Sequence, residues 1–296
     1  MGVQAPPVLW AFRVLWLTLP FTLGDAFTGS VDGRSDPVRL TASALAWAVW
    51  VLALGASLVA APRALTTTRV LAATAPAGGV AAVAAAGFAA GAWGWAGLAF
   101  AVAAAAAAMA AGTGAWFVDG ASYGDELRLP LRPPAALLAG PVELAWALTV
   151  VPLPAGVLLL AARNWVAGGL LLVAGLLTAW FGFRVLDRLS HRCLVFVPAG
   201  MTLVDDLSLA EPQLFPRRSV VRFGPAPADT TALDLTAGAA GLILQVDLDE
   251  EIEPVPTAPR GGVVESVSTR SALLAPSRPG RALAAAESRR IHVGRT

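Results

Sequence analysis

From Val8 to Val185 the chain is a series of apolar runs, each close to the twenty or so residues that a helix needs to cross about 30 Å of hydrocarbon. Six helices are predicted: about Val8 to Ala26, Val38 to Ala61, Val70 to Ala90, Trp95 to Trp116, Ala135 to Ala161 and Val166 to Val185. A polar loop, Asp32 to Asp36, parts the first two, and Pro62-Arg63 ends the second. Gly91 to Gly94 and Arg163-Asn164 are connections short enough to fold their flanking helices into antiparallel hairpins. The first run has no basic residue ahead of it and no small-x-small cleavage pattern, so it reads as a helix and not as a leader peptide.

The stretch from Trp180 to Val197 divides the chain, and the pattern changes there. Apolar positions alternate with polar ones, which is the period of a half-buried strand. Cys193 to Val197, the turn Pro198 to Gly200, and Met201 to Val204 read as a β-hairpin. Further strands are predicted at Leu214-Phe215, Val220 to Phe223, Leu233 to Leu235, Leu242 to Leu248 and Ser271 to Leu274. From Ser277 to Ile291 a serine cap candidate, a proline in the first turn and a helical core predict a closing helix. The expected organisation is a helical membrane domain, residues 1–189, followed by a small β-barrel or sandwich with a C-terminal helix, residues 190–296.

Composition supports the membrane assignment: 56% of residues are hydrophobic and 14% charged, against about a quarter charged in soluble domains. All 21 basic residues are arginine and Asn164 is the single asparagine, a bias that fits a high-GC bacterial genome and explains much of the alanine without invoking function. An even helix count puts both termini on one side. Loops on that side hold Arg63, Arg69, Arg128, Arg132, Arg184, Arg188 and Arg192, and the opposite loops hold Arg34, Arg39 and Arg163. Seven against three predicts a plasma-membrane protein with cytoplasmic termini, Arg184, Arg188 and Arg192 forming the collar at the exit of the last helix.

Apart from arginines at the helix ends, three ionisable residues fall at membrane depth: Arg13, Asp25 and Glu143. Charges at that depth are costly, so each is a functional candidate by default. Arg13, one and a half turns into its helix, can snorkel, and Asp25 reads as interfacial. Glu143, a few turns into the fifth helix, is at a depth similar to Arg13, so an Arg13–Glu143 ion pair is the plain expectation and a proton or ion pathway through Glu143 the alternative. Small residues such as Ala86, Ala90, Gly94 and Ala103 to Ala108 make the third and fourth helices the expected closely packed pair. The longest loop, Phe117 to Pro134, carries Tyr123, the only tyrosine, together with Asp119, Asp125 and Glu126. Its carboxylates are read as a solvated face or a contact with the C-terminal domain, with a divalent cation as the remaining option. No metal or cofactor is expected. Cys193 stands alone and reads as a small buried hydrophobe.

Arg192 to Val204 (RCLVFVPAGMTLV) resembles the opening strands of bacterial pleckstrin-homology-like (PH-like) domains carried on membrane helices. Phe215 to Phe223 is similar to the segment where those domains place an interaction-prone strand, and Leu273 to Leu283 resembles their last strand and capping helix. The whole chain resembles uncharacterised actinobacterial membrane proteins, a likeness that brings no activity with it. The resemblance implies a PH-like domain that mediates contacts. From Ser190 onward 11 arginines face 12 carboxylates, which gives little support to a lipid-binding basic pocket. Arg217, Arg218 and Arg222 form the best basic patch, and Asp247 to Glu253 the main acidic run, read as an exposed strand end. Nucleophile-elbow, metalloprotease, phosphate-loop and dinucleotide motifs are all missing from the sequence. The expectation is therefore a non-enzymatic membrane scaffold or regulatory module in contact with membrane lipids. A protein partner or a second copy is expected on the surface formed by Tyr123, Asp125, Glu126, Arg217, Arg218 and Arg222; no nucleic acid is expected. A small-solute or proton-coupled transporter using Glu143 is the alternative.

Overall fold

The computed structural model describes residues 4–85, 91–257 and 267–294. It divides into two compact units: Met1–Phe117 with Glu143–Asp187, and Val118–Val142 with Arg188–Thr296. The second unit is thus not confined to the residues after 189. It draws in the segment between the fourth and fifth spans, so the chain passes between the units three times.

The first unit is helical. α1 (Pro7–Val31) and α2 (Asp36–Ser57) are followed by α3 (Pro62–Ala72) and α4 (Thr74–Ala85), which make one span broken at Ala73. Next come α5 (Ala92–Met109), a short α6 (Ala111–Asp119), α7 (Pro141–Val150) and α8 (Pro152–Ala161) as a second broken span, and α9 (Trp165–His191). Among the described residues, six helices or helix pairs are long and apolar enough to cross a membrane. Two boundaries differ from the apolar runs. α3 begins at Pro62 and not near Val70: proline suits the first turn of a helix, and within it the Thr66 and Thr67 hydroxyls donate back to the carbonyls of Pro62 and Arg63. The fifth span begins at Pro141 and not at Ala135. Residues Ala135–Leu138 form a 3-10 turn whose Ala135 N–H donates to the carbonyl of Gly238, and Gly140 then takes a φ of 131°, which only glycine adopts readily.

Proline shapes the α1–α2 contact. Pro20 lies inside α1 and has no N–H, so the carbonyl of Trp16, four residues earlier, loses its helical donor. The indole N–H of Trp50 on α2 donates to that carbonyl at 2.9 Å, and the Trp16 indole donates to the carbonyl of Trp50 at 3.0 Å. A neighbouring helix restoring a freed backbone group is what makes proline tolerable in such a span. Packing elsewhere rests on glycine. Gly168, Gly175 and Gly182 recur every seven residues along α9, and a Cβ at Gly168 or Gly175 would lie 2.8 Å from the backbone nitrogen of Leu160 or 2.5 Å from that of Leu153. The third and fourth spans do pack together, as α4 on α5, yet α5 meets α1 more extensively. Gly97 makes that approach possible, since a Cβ there would come within 2.8 Å of Leu23. Ala86 and Ala90 lie outside the described residues.

The second unit is built of two four-stranded sheets and α10 (Pro279–Ser288). β1 (Leu127–Pro130), β2 (Cys193–Val197), β3 (Gly200–Val204) and β4 (Gln213–Pro216) form an antiparallel sheet in sequence order. β5 (Val220–Pro225), β6 (Leu233–Asp234), β7 (Leu244–Ile252) and β8 (Thr269–Leu274) form the other, in the order β5-β7-β8-β6, with β6 parallel to β8. The predicted hairpin, the later strands and the closing helix are all present. β1, from the interhelical segment, was not foreseen; it pairs with β2 so that Leu129 meets Leu194. Both sheets and α10 share one core that includes Leu129, Leu194, Phe196, Phe215, Phe223, Val246 and Ala282. The two sheets do not close into a barrel. Pro279 opens α10 as expected, but Ser277 does not cap it; the N-cap position is Arg278, without a side-chain bond.

Candidate functional site

Arg13 is the most buried cation of the helical unit, 7% exposed. Its Nη2 donates at 2.5 Å to the carbonyl of Ser57, the last residue of α2. The guanidinium carbon stands 4.8 Å from the ring centroid of Trp10 and 5.6 Å from that of Trp116. Its Nε is buried without a hydrogen-bond partner among the described residues. Arg69 does the same service for another helix: Nε donates to the carbonyl of Ala108 at 3.2 Å and Nη2 to that of Met109 at 3.4 Å, the last two residues of α5. The last carbonyls of a helix have no intrahelical donor and carry about half a negative charge. Two arginines, one on α1 and one on α3, therefore cap two helix C-termini, a role that the sequence reading of Arg69 as a loop residue missed. Any helix ending near a lone arginine offers the same partner, but which helix ends where is not visible in the chain.

The structure places Glu143 differently from the mid-helix position expected of it. It is exposed, in the first turn of α7, where the positive end of the helix dipole favours a carboxylate. Among the described residues the acceptor bound by Arg13 is the Ser57 carbonyl, not Glu143. Asp25 is exposed, within α1 and not at its end. Between the third and fifth spans, the Trp146 indole donates to the carbonyl of Val70 at 2.9 Å.

In the sheet unit, Asp119 is 5% exposed and organises the segment that delivers β1. Its Oδ1 accepts the backbone N–H of Arg128 at 3.1 Å and the hydroxyl of Ser122 at 3.0 Å, and its Oδ2 lies 3.5 Å from the guanidinium of Arg281 on α10. Glu126 pairs with Arg128 at 3.0 Å, which holds its carboxyl below the usual carboxylate range. Asp125 accepts from Arg289 through its backbone carbonyl, and Tyr123 is 87% exposed. Asp119 and Glu126 thus both hold Arg128, the first by its backbone N–H and the second by its guanidinium, which pins the start of β1. Arg222 is occupied by Asp247 at 3.4 Å and the carbonyl of Pro225 at 3.1 Å, whereas Arg217 and Arg218 are exposed on the β4–β5 turn. The acidic run is largely strand: β7 extends through it to Ile252, with Glu250 accepting from Ser219 and Glu251 pairing with Arg270.

Arg192, read from sequence as part of the membrane collar, is 2% exposed inside the sheet unit. It meets Asp205 through two parallel bonds of 2.6 and 2.7 Å and gives a third, 2.9 Å, to the carbonyl of Arg132. Such a fork is the strongest form of ion pair a protein makes. A signal existed: in the β2–β3 hairpin Cys193 faces Val204, so the residues just outside that pair, Arg192 and Asp205, stand opposite one another.

No family model, curated protein or solved structure matches this chain. Burial pushes the Cys193 thiol up to about 11, which agrees with a packing role for that residue.

Proposed function

We propose that this protein is a multi-pass membrane scaffold that holds a PH-like sheet domain at the cytoplasmic face and presents it to a protein partner. The observation that carries the reading is the interleaving of the two units. Three chain passages tie the sheet unit to the helices, and its first strand comes from between two spans. A domain joined to its anchor at three points along the chain suits a scaffold. The β4–β5 turn supplies a suitable contact surface, because Arg217 and Arg218 are exposed beside Leu214 and Val221, themselves 42% and 54% exposed. Arginine is among the residues enriched in interface hot spots, and Leu214 and Val221 add exposed apolar area around it. The transporter alternative draws little from Glu143, which opens α7 and does not sit midway along it.

Affinity capture of the full chain from its native membranes tests the proposal. A partner retained by the wild type and lost from an Arg217→Glu/Arg218→Glu variant of unchanged thermal stability is the expected result. Recovery of the chain alone, as a monomer, would remove the basis of the scaffold reading.

A further inference from the structure

Arg13 carries more than a structural cap requires. α2 has 22 residues, about 33 Å of helix, which matches the hydrocarbon thickness. If α2 spans, its ends lie at the two boundaries, and Ser57 is its last residue. The Arg13 guanidinium, bonded to the Ser57 carbonyl, is therefore at headgroup level and not at the middle of the bilayer. Half a negative charge from the helix end leaves the cation only partly balanced. No carboxylate joins it among the described residues, and its buried Nε has no acceptor. The two rings that flank it include Trp10, 56% exposed, the kind of residue that settles where hydrocarbon meets headgroup.

We propose that Arg13, with Trp10 and Trp116, forms a binding site for the phosphate of an anionic phospholipid. With the half-exposed Trp10 ring turned aside, a phosphodiester oxygen would take the Nε–H, now buried, and supply the missing negative charge, while the acyl chains lie along the exposed face of Trp10. Arginine suits this task because its fork still has donors left when one nitrogen holds the Ser57 carbonyl. The charge comes from a lipid and not from a free anion, since the approach to the site runs past an apolar ring.

Native mass spectrometry of the full chain released from bilayers of equal parts phosphatidylglycerol and phosphatidylcholine tests the site. One retained phosphatidylglycerol in preference to phosphatidylcholine is expected, with retention falling about fivefold in Arg13→Gln, the factor one arginine is worth to an anionic lipid. Arg184→Gln, which removes an exposed arginine stacked at 4.7 Å on Trp180, should leave retention unchanged. Should Arg13→Gln fail to fold, Trp10→Leu, a change on the exposed face, should still lower retention. Equal retention of the two lipids by the wild type, or equal retention by wild type and both variants, would overturn the proposal. So would displacement of the bound species by millimolar inorganic phosphate, which would make it a free-anion site.

Discussion

Arg192 and Asp205 show how one pair of side chains can be structural while resembling a functional signal. Both are buried, at 2% and 0% side-chain exposure, and each satisfies the other through two bonds. Removing one partner strands the other's charge in the core. Asp205→Ala is expected to destabilise the sheet unit by about 3–5 kcal/mol, while replacing both residues with apolar ones of similar volume costs far less; protease resistance of the sheet unit against urea would separate the two. Cys193 makes a second residue-scale prediction. Its folded value of about 11 lies above the ordinary 9.0, so the folded state holds its proton longer than the unfolded state does. The stability this contributes is fully present below the ordinary value and is lost as pH rises through 9.0 toward about 11. A fall in unfolding midpoint over that window, absent from Cys193→Ala, is the expected result. In the folded protein at pH 8, thiol reagents should label Cys193 only on unfolding, because the reactive thiolate is suppressed and the side chain is buried.

At the scale of elements, the helices are held by features that hydropathy does not report. Pro20 frees a carbonyl of Trp16 and Trp50 answers it. Trp50→Phe keeps the ring and removes the donor, so a loss of about 0.6–1.7 kcal/mol is expected, read as a lower unfolding midpoint in mixed micelles. The glycine row of α9 makes the sharper test. Gly175→Leu would place its Cβ within 2.5–2.8 Å of the backbone at Pro152 and Leu153, atoms that cannot rotate away. That substitution should separate the last two spans and abolish stable expression, whereas Gly169→Leu, where a Cβ meets nothing within 4 Å, should be tolerated. Both glycines stand in the same apolar run, and their different roles follow from which face of α9 meets α7 and α8.

For the whole molecule, the unit division predicts that residues 190–296 alone will not form the native sheet domain. They lack β1, whose Leu129 is in the shared core, and the Arg132 carbonyl that Arg192 binds. Restoring Val118–Val142 through a flexible linker should recover cooperative unfolding by circular dichroism; a fully cooperative 190–296 fragment would mean that β1 is dispensable. Much of this architecture was legible in the chain. Twenty-residue apolar runs and two-residue alternation come from the backbone geometry of helices and strands, so six spans, the β2–β3 hairpin and the closing helix could be read directly. Local chemistry could not reveal β1, because Leu127 to Pro130 is only four residues long and looks like loop until it pairs with β2, over sixty residues later. Nor could it reveal that Arg13 and Arg69 cap helix ends, that Glu143 opens a helix, or that Arg192 faces Asp205. The sequence by itself determined the six spans, the strands after Arg192 and the closing helix, since each of these segments must satisfy its own period of burial. Only the tertiary structure decided which charges meet which partners, since a charge is compensated through space by whatever carbonyl or carboxylate the fold brings within about 3 Å.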